Sequence, residues 1–501
     1  MTNYCLSCIK IYIIIVWICG GMFFYDINDK SIQVSFKRAV IEGFNADTGG
    51  VFMPSQIDKL SPSMIYRNPP PSFRDIVFEV AKMFCGSEIP DNDLMSVIAQ
   101  FYPYKIPITP IAQTTYILEL FHGATCNYKD ISAGFSAYLL EYFNAAEKAP
   151  VNLLVAASGE RACAISAAVS KVKGVNAIIL YPKNSLTEIQ ERQLACSPKN
   201  VYCFSVEGRL EDCEAIVNKA LCDIKVKKRF KLIPSGALNS ASLIPKIAFF
   251  IYSSLAVLYR CGYDNKIEKP EIIASVPSGS FSALTAGLIA KKMGAPISGF
   301  ICAENINHCL TDLLISGGFN SKAKIKTNTP ELDESNLINF KRMTALYDIE
   351  DLKKLIIPYC FDDETTIEAV THCNDKTGYI IDPYGGMAWK AWIDIYHGAL
   401  NSVRLKSVDD DFQAGVPAQY GSVFTGGIKT WFHSSSKTNL IGLILQTSHP
   451  AKFTEIMKTA VGRPPSLPDR LESLPFTESK AVNIKASYSD FKKHLFDIIE
   501  E

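Results

Sequence analysis

The chain has 501 residues, enough for two or three domains around a large core, and its 48% hydrophobic and 20% charged content is that of a folded soluble protein. Lys+Arg and Asp+Glu both number 51, so there is no net charge and no basic stripe, and nucleic acid is not an expected partner. The fifteen cysteines are scattered and odd in number, which points to free thiols in a reducing compartment, and Cys5 and Cys8 have no second pair with which to hold zinc.

In chain order, residues 11–25 are uncharged and mostly apolar, with Lys10 ahead of them. Fifteen residues are short for a membrane span, which needs about 20, though long enough for a signal-peptide core. Apolar spacing predicts helices over 73–84 and 91–101, and so a small, mostly helical N-terminal domain over 22–110. From 111 onward short apolar strands alternate with helices. Strands are predicted at 116–120, 152–156, 177–180, 201–206, 271–276 and 297–302. Helices are predicted at 132–142, 162–172, 185–194, 210–221 and 284–293. This alternation means an α/β fold with parallel sheets flanked by helices. The polar, Gly- and Ser-bearing stretch 407–438 reads as an insertion or long loop.

Four stretches carry chemistry. In the first, a strand-like run stops at His122-Gly123, and Lys129 stands just before a helix. Taken alone, Lys129 has two readings: a solvated surface lysine, or an amine made nucleophilic by partial burial. In the second, Ser158-Gly159-Glu160-Arg161 joins a strand to a helix, either as an ordinary turn or as an anion cradle. In the third, Ser278-Gly279-Ser280-Phe281-Ser282 again closes a strand and opens a helix. Small residues there let backbone approach a phosphate, and a plain Gly/Ser turn is the alternative. In the fourth, Thr447-Ser448-His449-Pro450 places Thr447 either as a hydroxyl facing a ligand or as a cap for the helix after Pro450.

Glu119-Leu120-Phe121-His122-Gly123, Thr125 and Tyr128-Lys129-Asp130 resemble the pyridoxal-phosphate loop of the threonine synthases, E-L-F-H-G-P-T-x-x-F-K-D, with the lysine in register. Val34-Ser35-Phe36 with Ala39-Val40 and Gly43 resembles that family's V-S-F-x-x-A-V-x-x-G, and Thr447 to Phe453 its T-A-H-P-A-K-F. The resemblance runs through nearly all of 22–501, begins at Met22-Phe23-Phe24-Tyr25, and makes 1–21 an upstream extension or a targeting segment.

The resemblance implies the two-lobed fold of the tryptophan synthase beta and threonine synthase type. It implies pyridoxal 5'-phosphate as cofactor, and conversion of O-phospho-L-homoserine and water into L-threonine and phosphate. Lys129 would be the catalytic lysine and carry the cofactor. Gly279, Ser280, Phe281 and Ser282 would wrap its phosphate, and Thr447 would face its ring nitrogen, a neutral partner. Ser158, Gly159 and Arg161 would bind substrate. The setting expected is cytoplasmic, with a membrane role tied only to 1–21.

The departures cluster at the site. Ala124, Tyr128, Glu160, Arg161, Ala162, Ser280, Ser282 and Ala283 differ from the family pattern, as do Ser242, Pro245 and Ile338. Gly134 stands where the family has an arginine that grips the substrate phosphate. Arg161 offers a charge from another side; if it compensates, Arg161→Ala is expected to abolish turnover and Gly134→Arg to rescue it in part. The changes also motivate two rivals: a same-fold lyase making 2-oxobutyrate, and a decayed copy without activity.

Overall fold

In the computed structural model the described residues are 22–147, 149–157, 159–235, 239–262, 270–316, 325–333, 337–400, 440–463 and 465–499. The extension 1–21, Ser158 and the stretch 407–438 lie outside them.

Two parallel sheets organise the chain. The larger has six strands, in spatial order Ile356–Phe361, Gly299–Asn305, Glu271–Pro277, Leu440–Gln446, Thr115–Glu119 and Ile108–Ala112. Only the last pair is antiparallel. The smaller has five parallel strands: Val482–Lys485, Val201–Glu207, Val175–Pro182, Val151–Ala156 and Leu232–Pro234. The central strands are buried along their whole length, which is why they read as continuous apolar runs. Predicted strands and helices fall on observed ones, with shifted ends. The strand Leu440–Gln446 and the helix Ile244–Arg260, both central, were not among the expected elements.

Before residue 110, helices Phe73–Cys85 and Asp91–Phe101 are joined by a small antiparallel sheet of Gln33–Val34, Phe24–Asp26 and Phe52–Pro54. Ser72 starts the first helix with a reciprocal cap to Asp75. One continuous core joins Phe24, Phe84 and Phe101 to Phe135, Phe249 and Phe300. The helical run Ser240–Arg260, which includes the helix Ile244–Arg260, is long and apolar enough to cross a membrane, but 89% of its apolar stretch is buried inside the protein, so it is a core helix. The described cysteines are all free.

Loops that leave the carboxyl ends of parallel strands share one edge, where open α/β sheets place their ligands. Here those loops follow Glu119, Ala156, Pro277 and Gln446, and they carry all four stretches singled out above.

Candidate active site

The loop after Glu119 is folded onto its own aspartate. Asp130 accepts from the Thr125 amide at 2.8 Å and from the Thr125 hydroxyl at 2.7 Å. A Cβ on Gly123 would land 2.3 Å from Asp130 Oδ2, so the loop closes only around glycine. Burial pushes the Asp130 carboxyl up to about 6, against the two Thr125 hydrogen bonds. The helix Lys129–Asn144 begins at the lysine itself, three residues before the expected 132, because Tyr128 is already helical at φ −63° and ψ −19°. Asn127 takes the Lys129 amide at 2.9 Å and donates to Ser448 Oγ at 2.6 Å. The Tyr128 amide donates to the Thr447 carbonyl at 2.8 Å. Two distant segments therefore fix where Lys129 points. Its side chain is 13% exposed and ion-paired with Glu331.

Facing Lys129 is the turn between strand Glu271–Pro277 and helix Ser282–Lys292. A Cβ on Gly279 would sit 2.6 Å from Leu332 Cα, a backbone atom that cannot move aside. Phe281 precedes the helix in the left-handed region at φ 56°, and no side chain caps the first turn. The leading N–H groups of that helix are therefore left for a ligand. Asn339 holds the turn by donating to the Ser280 carbonyl at 2.8 Å. Lys129, Gly279, Ser280, Phe281, Ser282 and Thr447 line one cavity. Thr447 does not cap the turn after Pro450; His449 does, through Nδ1, with the Ala451 amide 3.2 Å away. Next to Thr447, burial holds the Asp382 carboxyl up at about 7 although backbone N–H groups donate to it.

The loop after Ala156 behaves differently from expectation. Glu160 turns inward, where Lys452 Nζ donates to it at 2.5 Å and Gln190 Nε2 at 2.9 Å. Lys452 also donates to the Thr125 carbonyl at 3.0 Å. Burial pulls the Lys452 ammonium down, but Glu160 outweighs it and the net shift is upward. Gly159 starts the helix with its back to Gln190 and lines neither cavity described here. Arg161, one residue past Glu160, lines a second cavity that adjoins the first and shares Tyr128, Lys129, Ser280 and Ser282 with it.

The expected rescue at Gly134 is corrected by packing. A Cβ there would stand 2.5 Å from the Phe101 carbonyl oxygen, so an arginine cannot be built. Sequence reasoning missed Glu331, Lys452 and above all Lys246. Lys246 is 7% exposed, lines the second cavity, and donates to Ser282 Oγ at 2.9 Å. One signal was available: Lys246 is the single charge in the otherwise uncharged run 241–259.

A family model described as "Threonine synthase N terminus" matches residues 24–102. Threonine synthase of Escherichia coli (strain K12) is 28% identical over 471 residues, covering 94% of this chain and 98% of its own. The crystal structure of threonine synthase from Escherichia coli superposes with a TM-score of 0.78 at 25% identity, over 95% of this chain and 99% of the other. A PLP-bound threonine synthase from Brucella melitensis has the same fold, with a TM-score of 0.75 at 21% identity over 95% of this chain and 99% of its own.

Proposed function

We propose that the chain is a divergent member of the threonine synthase family, a pyridoxal-phosphate-dependent lyase, and that it converts O-phospho-L-homoserine and water into L-threonine and phosphate. The observation that carries this is the convergence of Lys129, the Gly279–Ser282 turn and Thr447 on one cavity, from the loops after three neighbouring strands of the larger sheet. The residues present fit pyridoxal 5'-phosphate. The uncapped helix start at Ser282, with the Ser280 and Ser282 hydroxyls, would hold its phosphate, and Lys129 would attach it. Thr447 would present a neutral hydroxyl to its ring nitrogen. Bound there, the cofactor supplies an electron sink next to the substrate amine.

The chain's own groups then have separable tasks. Lys129 must leave Glu331 for its amine to accept and return protons at the α and β carbons of the substrate. The hydroxyl-rich walls orient the substrate. Phosphate departs from the γ carbon, and water adds at the β carbon. The outcomes raised by the site changes, a keto-acid product or an inactive copy, are not favoured by an alignment that spans nearly the whole chain. The free thiols suit a reducing, cytoplasmic setting.

Cofactor-loaded protein incubated with O-phosphohomoserine is expected to release phosphate and form threonine in equal amounts, read by chromatography. A keto acid in place of threonine, or no phosphate from protein with bound cofactor, would overturn the reading.

A further inference from the structure

The second cavity has an unusual wall. Its charged lining residues are Lys129, Arg161 and Lys246, and no carboxylate lines it among the described residues. The rest of its polar lining is almost all serine hydroxyl. Lys246 is the most telling of the three. Its ammonium carries three donors, and among the described residues its hydrogen-bond partner is the single hydroxyl of Ser282, with the Tyr128 ring face 5.8 Å away. A buried ammonium without a carboxylate is costly, and the apolar helix around it would accept methionine more readily. The groups that face it are also cationic: Arg161 on helix Gly159–Val169, Lys129 at the start of helix Lys129–Asn144, and Arg342 near Asn339. Burial, then Arg161, Lys129 and Arg342, bring Lys246 down to about 7.

We propose that Lys246, with Arg161, receives the phosphate monoester of the substrate in this second cavity. The inference rests on the reading of the reaction given above and names the residues that set its substrate class. The cofactor turn is a distinct place: Lys246 and Arg161 line the second cavity and not the first, while Ser282 and Lys129 belong to both. A dianion here gives Lys246 a countercharge and takes ammonium donors that the Ser282 hydroxyl does not use. The position of Gly134, closed by Phe101, is then not needed for a phosphate grip.

The test uses cofactor-loaded protein. Lys246→Met and Arg161→Gln are each expected to raise KM for O-phosphohomoserine roughly tenfold to a hundredfold, a charge-assisted contact each. Cofactor affinity, read by absorbance titration, should stay unchanged, and Lys246→Arg should recover part of the loss. Weakened cofactor binding with unchanged KM would assign Lys246 to the cofactor and overturn the proposal, as would unchanged values throughout. Calorimetry with inorganic phosphate gives a second readout, independent of turnover and of any variant. At pH 8 the wild type should take up protons on binding phosphate, because the dianion recharges Lys246. Phosphate that binds without proton uptake, or does not bind, overturns the inference even if Lys246→Met fails to fold. If the wild type makes no threonine yet binds phosphate with uptake, the reaction assignment fails and the anion site stands.

Discussion

Lys246 and Lys452 are both buried to the same degree, each 7% exposed, yet they live in opposite surroundings. Lys452 has a carboxylate, Glu160, and a carbonyl, and its ammonium is held above the ordinary lysine range. Lys246 has a hydroxyl and cationic neighbours, and it is held far below that range. The first lysine is complete within the folded chain. It clamps the start of helix Gly159–Val169 to the segment after Thr447, and so joins the two sheets. The second is left incomplete by the chain, facing a cavity. Two residues of one type and one burial thus separate into a structural group and a ligand group by what surrounds them.

The largest effect expected is on a third lysine, which sets the scale for the other two. Lys129→Ala should lower kcat by roughly 10³-fold or more and remove the borohydride-reducible cofactor linkage, checked by mass spectrometry after reduction. Labelling of another lysine would dissolve the assignment on which the comparison depends. Next, Lys452→Met leaves Glu160 buried without its cation, and should destabilise the protein by about 3–5 kcal/mol in urea unfolding. The double variant Glu160→Leu/Lys452→Met should recover much of that loss, since no charge is then stranded.

Lys246→Met should do the opposite and stabilise the protein, by roughly 1–3 kcal/mol near neutral pH. The sign follows from the lowered value. Between about 7 and the ordinary lysine range the unfolded chain binds more protons, so the wild type gains stability as pH rises there. The advantage of Lys246→Met is therefore full below pH 7 and fades as pH rises to the ordinary lysine range, measurable as Tm differences across buffers. A destabilised Lys246→Met would make the two lysines alike. The smallest effect concerns Gly134. Gly134→Ala should cost about 1–3 kcal/mol by overpacking against the Phe101 carbonyl, and Gly134→Arg should not raise turnover.

Much of the fold was legible because its signals are local. Alternating runs of strand and helix length placed most of the parallel strands, and the glycine turns at Gly123 and Gly279 announced two loops of the site. The position of Lys129 at the cavity was legible because its loop is one contiguous stretch. What escaped depends on separation. Glu160 reads as part of a ligand loop until its partner, 292 positions away, is seen to draw it inward. Lys246 gains its meaning from Ser282, 36 positions on, and from Arg161 on a different helix. Gly134 reads as a lost arginine, whereas the Phe101 carbonyl has taken the space.

The strand Leu440–Gln446 lies between Glu271–Pro277 and Thr115–Glu119, pairing Gly442 with Thr115 on one side and with Ile273 on the other. A ribosome delivers these strands in chain order, so the two outer ones wait with open edges through most of translation. Exposed parallel edges are places where nascent chains stick to one another. The hydrogen bond from the Tyr128 amide likewise waits for the Thr447 carbonyl. Lys129 is made early and positioned last, and a message cut short before codon 440 yields a chain with a sheet split down its middle.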